Sequence, residues 1–205
     1  MKNAILLMIV AVGLMLVQCG CESGGQARTG FLTDYSRLRA VSDTSLRYVN
    51  KGALAGYSGF IVDRVDVHFH SGAKGIEEKS KGELTEQDLA DLTNYFHAAI
   101  VKAISNAGDK VVHQPATSVA RIRVALTDIE KTGALSVLPQ ASLLGVDLGG
   151  VSMEAEIVDS MTGEQIAAVL ETQKGSRVPF SNLGEWTTAK NIMDDWAKRL
   201  QKNLK

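Results

Sequence analysis

Two stretches of this chain alternate apolar and charged residues with a period of two, and that alternation restricts the fold more than any other feature. In "VARIRVALTDI", Ala120, Ile122, Val124 and Leu126 fall on one side, with Arg121 and Arg123 on the other. "VSMEAEIVD" sets Val151, Met153, Ala155 and Ile157 against Ser152, Glu154 and Glu156. Successive side chains of a strand point to opposite faces, so each stretch predicts a strand with one face on a core and one in water. If the two are neighbours, Arg121 and Arg123 share the polar face with Glu154 and Glu156. "FIVDRVDVHFH" alternates in the same way, with Val65, Val67 and Phe69 opposed to Arg64, Asp66, His68 and His70. After "DSMTGE", "QIAAVLET" alternates through Ile166, Ala168 and Leu170 and reads as the return strand of a hairpin, with Gly163 at positive φ in the turn.

Two other segments have the helical period. "LTEQDLADLTNYFHAAIVKAISNAG" opens on Thr85 as N-cap with Asp88 three residues on. It then runs Leu89, Leu92, Phe96, Ala99 or Ile100, and Ala103 or Ile104 along one stripe until Gly108. "EWTTAKNIMDDWAKRLQKNLK" repeats the stripe with Ala189, Ile192, Met193, Trp196 and Leu200. The order predicts an α+β fold: a two-layer sandwich with a mainly antiparallel sheet of about four strands and two helices on one face.

The N-terminal stretch gives an address. Lys2 precedes an uninterrupted apolar run from Ala4 to Val17, a signal-peptide length that falls short of the roughly 18 residues a membrane span needs. The run ends at the only two cysteines of the chain, Cys19 and Cys21. The stretch resembles a bacterial lipobox, in which a small residue precedes the cysteine that takes diacylglycerol on its thiol. Gly20 before Cys21 fits; Gln18 before Cys19 does not. Cys21 is therefore the expected lipidation site, with residues 1–20 as signal peptide, 21–30 as acylated cysteine and flexible tether, and 31–205 as one periplasmic domain. Several acyl chains on one terminus anchor a protein stably, so the membrane is the first expected partner. By the same resemblance, Glu22 in place of the aspartate that signals inner-membrane retention implies, in a Gram-negative cell, the outer membrane, facing the periplasm.

"GFLTDYSRL", "VALTDIEKTG" and "GGVSMEAEIVDSMTGEQIAAV" resemble the blocks of an uncharacterised family of Gram-negative lipoproteins, domain of unknown function 3313. The resemblance implies an anchored periplasmic domain and supplies no catalytic residues. From the residues themselves, Phe31, Leu32, Tyr35 and Leu38 are expected to pack on the core, with Asp34 or Ser36 capping a turn.

Chemistry is sparse in the body of the chain. With 22 basic and 23 acidic residues there is no surplus of positive charge for nucleic acid. The cationic Lys198, Arg199, Lys202 and Lys205 complement the dipole at a helix end. No nucleophile elbow, phosphate loop or dinucleotide fingerprint is present, so neither an enzyme nor a cofactor is expected. His68 and His70, two apart on one strand face, are weak metal candidates, with Glu154 or Glu156 as a third donor. Residues 133–150 form the most unusual segment, a connection rich in Leu and Val with no clean period. Val137, Leu138, Leu143, Leu144 and Val146 are the expected interaction surface, for an envelope protein or a second copy of the chain. The functional expectation is a lipid-anchored, non-catalytic interaction or assembly module of the cell envelope. The alternative is a small-ligand or metal-binding lipoprotein using the exposed sheet face.

Overall fold

The computed structural model describes residues 26–132, 149–175 and 184–204. In chain order its elements are β1 (Arg39–Ser42), β2 (Ser45–Val49), α1 (Lys51–Leu54), β3 (Gly59–Val62), β4 (Asp66–Val67) and α2 (Lys74–Ser80). They continue with α3 (Glu86–Ala107), β5 (Lys110–Val111), β6 (Val119–Glu130), β7 (Gly150–Asp159), β8 (Gln165–Lys174) and α4 (Thr187–Leu204).

The two alternating stretches become β6 and β7 and pair antiparallel, with Arg123 opposite Glu156 and Ala125 opposite Glu154. β8 returns beside β7, through a turn in which Gly163 has φ 75° and Asp159 accepts from the backbone N–H groups of Met161 and Thr162. The full order is β1-β2-β8-β7-β6-β3-β5, with β4 also beside β6. β3 and β4 run parallel to β6 and β3 runs parallel to β5, so the sheet is mixed.

The expected sheet of about four mainly antiparallel strands with two helices is thus overturned: among the described residues there are eight strands, in mixed orientation, and four helices. The α+β class stands. The additional strands hold two to five residues each, too few for an alternation to register. "FIVDRVDVHFH" is two strands and not one: β3 pairs Val62 with Ile122 and β4 pairs Asp66 with Ala125, so the chain gains one residue on its partner in between. A second irregularity, between Ile157 and Val158, splits the alternation of β8. Ile166 joins the helix-side core while Ala168 and Leu170 face the other way.

α3 starts at a complete capping box, Thr85 accepting from the Asp88 backbone while the Asp88 carboxylate accepts from Thr85, and ends at Gly108 with φ 96°. Its buried stripe, Leu89, Leu92, Phe96, Ile100, Ala103 and Ile104, packs on one sheet face together with Ala189, Ile192, Met193 and Trp196 of α4. The opposite face is covered too. Residues 29–38 cross it as an irregular strap that buries Phe31, Leu32 and Leu38 against Ala125, Ala168 and Leu170.

Candidate functional site

The strap converts the expected wet face into an interior. Arg121 and Arg123 do share a face with Glu154 and Glu156, as the alternation requires. Yet Glu154 is 0% and Glu156 1% exposed. A buried carboxylate needs donors, and the strap supplies them. Glu154 accepts from the Thr29 backbone N–H at 2.8 Å and from the Tyr35 hydroxyl. Glu156 accepts from the Thr33 backbone N–H and hydroxyl, both at 2.8 Å, from Gln165 Nε2 at 2.9 Å, and from Arg123 at 2.5 Å. Burial, and then the hydrogen bond to Glu154, raise the Tyr35 pKa above its ordinary value. The Arg123 guanidinium also lies 4.8 Å from the centre of the Phe31 ring. Three features of the strap were legible in its residues: the burial of Phe31, Leu32 and Leu38, the packing of Tyr35, and the Asp34 side chain accepting from the Ser36 N–H at 2.7 Å.

A second feature lies on the helix side. Between α4 and the β2–β8 part of the sheet a cleft of about 150 Å³ opens into the core, walled by Val49, Phe96, Ile100, Val169, Trp196 and Leu200 among others. Its polar lining includes Arg47, Glu171, Arg199 and Asn203. Arg199 donates to Glu171 at 2.6 Å, and Gln173 Nε2 donates to the same oxygen at 2.5 Å. Burial works to raise the Glu171 pKa, but these donors outweigh it and hold the carboxyl below its ordinary range. The Trp196 indole N–H lies near enough to add to that lowering, without reaching hydrogen-bond geometry, and it has no partner. Arg47 has no acidic or hydrogen-bond partner among the described residues.

Residues 27–200 match the family described as protein of unknown function (DUF3313). The chain belongs to that family. No curated protein matches it. Among solved structures it is similar to the PelC dodecamer from Paraburkholderia phytofirmans, at 13% identity and a TM-score of 0.47, covering 78% of this chain and 96% of that one. It is also similar to a minor lipoprotein from Acinetobacter baumannii, at 9% identity and a TM-score of 0.36, covering 72% of this chain and 92% of that one.

The histidines of this DUF3313 domain lie apart in their contacts. The His68 ring meets the Phe31 ring edge-on at 5.3 Å and its Nε2 lies 4.0 Å from Asp66, whereas His70 Nδ1 lies 3.0 Å from the Ser71 carbonyl. The carboxylates expected as a third donor, Glu154 and Glu156, are held by the strap, and no cluster of three metal-ligating side chains occurs among the described residues. Cys21 and the expected interaction residues Val137, Leu138, Leu143, Leu144 and Val146 lie outside the described residues. No helix among the described residues is long and apolar enough to cross a membrane. Arg47 and Glu171 escaped the sequence reading, and Arg199, expected to complement the dipole at a helix end, instead pairs with Glu171. The signal for Arg47 was the alternation in "SLRYV", where Ser45 and Arg47 oppose Leu46 and Tyr48, but five residues of an unrecognised strand do not show which face is which.

Proposed function

We propose that this chain is a lipid-anchored protein of the cell envelope whose domain binds a partner and does not catalyse, held at the outer membrane through Cys21. The strap seated on Glu154 and Glu156 carries this reading, because it makes the segment nearest the anchor an integral part of the domain. Thr29 lies eight positions beyond Cys21, and an extended chain of that length reaches about 28 Å. The strap is therefore held within about 28 Å of the anchor. Its two buried carboxylates serve attachment, which leaves them without access to a substrate.

Expression in a Gram-negative host with labelled palmitate tests the anchor. Wild type and Cys19→Ser should be processed, labelled and recovered with the outer-membrane fraction, whereas Cys21→Ser should accumulate as an unlabelled precursor. Label retained in Cys21→Ser, or recovery of the wild type with the inner membrane, would overturn the placement.

A further inference from the structure

The cleft beside α4 faces away from the strap and serves no purpose in the anchoring just described. We infer that it is a binding site for one alkyl chain carrying a single carboxylate head, a ligand of the fatty-acid class. Its volume of about 150 Å³ equals that of an apolar cavity that stays dry and accepts a benzene molecule, so it has room for a chain segment of similar bulk. The walls at Phe96, Ile100, Val169 and Leu200 offer such a segment only hydrocarbon.

The charge around the cleft supplies the other half of the match. Arg199 and Glu171 neutralise one another, while Arg47 stands half-buried beside them on the same sheet face with no counter-ion among the described residues. One carboxylate would balance that guanidinium and fit its fork of donors. A peptide fits less well. β2 pairs with β8 along its length and with β1 from Ser45 to Arg47, so only Tyr48 and Val49 lack a strand on the outer side, too short an edge to hold a peptide backbone. An alkyl chain needs none.

The test uses the full chain in phosphatidylcholine nanodiscs, titrated with octanoate, octanol and acetate by calorimetry, with empty nanodiscs as the blank. Octanoate should bind saturably above the blank, octanol more weakly and acetate not at all. Arg47→Ala should weaken octanoate by about tenfold or more and leave octanol unchanged, the loss expected of one charge-assisted contact. Val169→Phe should fill the cleft and abolish both, and Leu200→Trp serves the same purpose if circular dichroism shows Val169→Phe to be unfolded. Octanoate uptake equal to the blank, or unaffected by Arg47→Ala and by the filling variant, would overturn the assignment. It would also fall if the filling variant changed the oligomeric mass with no saturable octanoate binding in the wild type, since a second copy would then be the occupant.

Discussion

The two faces of the sheet are covered by different physics. On one, α3 and α4 bring whole stripes of apolar side chains, with Leu92, Ile104 and Met193 at 0% exposure. On the other, ten residues of strap contribute three buried apolar side chains, worth about 1.5–3 kcal/mol each. Ordering ten backbone residues costs about 10–20 kcal/mol, so apolar burial cannot hold the strap alone. Hydrogen bonds to Glu154 and Glu156, at about 1.5–3 kcal/mol each where the acceptor is charged, make up the difference. Long amphipathic helices can hold a face by area. A short irregular segment needs a few strong contacts at defined points.

That contrast predicts different failures. Glu156→Ala leaves Arg123, Gln165 and Thr33 without their acceptor and should cost about 3–5 kcal/mol. Hydrogen exchange should then rise first at the amides of residues 29–38. Leu92→Ala, on the other face, should cost about 2–5 kcal/mol and speed exchange throughout the domain without singling out the strap. If Glu156→Ala produced the uniform pattern instead, the strap would be no separate unit. Tyr35→Phe is a smaller probe of the same latch, expected to lose about 1–3 kcal/mol by withdrawing one of the two donors to Glu154.

The smallest effect belongs to a contact outside both interfaces. Tyr57 donates to Asp159 at 2.7 Å, and burial together with that bond pushes its pKa up to about 12. The Thr162 N–H, the Tyr57 hydroxyl and the Met161 N–H hold Asp159 down to about 2. Between about pH 10 and 12 the folded chain keeps a proton on Tyr57 that the unfolded chain has released, so stability falls as pH rises through that window. Below about pH 4 the unfolded aspartate takes up a proton sooner than the folded one, so this contribution fades as pH falls toward 2. Asp159→Asn should flatten the acid limb in a thermal-unfolding series while leaving the strap's exchange unchanged.

How much of this was written in the sequence depends on the length of each signal. β6, β7 and α3 carry many repeats of their period, and the buried stripe of α3 is the one the spacing names, while that of α4 adds Ala197 and leaves Leu200 half-buried. The strands of two to five residues carry one or two repeats and are defined by the partner they lie beside. Glu154 and Glu156 misled the reading for another reason. Charged alternation ordinarily means solvent, and here it means a buried acceptor for "RTGFLTDYSRL", a segment with no period of its own. At the cleft, Trp196 was placed correctly on a core stripe, while Arg47 and Glu171 become neighbours only once β2 and β8 are paired.

The latch also fixes an order of events during synthesis. Thr29 bonds a residue 125 positions further along and Thr33 one 123 positions further, so the strap leaves the ribosome well before its docking site exists. Contacts of such separation form late, after β6, β7 and β8 have come together locally. The strap is thus among the last parts of the domain to dock, once the strands that carry Glu154 and Glu156 are in place. Completion of the sheet then turns residues 29–38 from loose chain into a fixed cover.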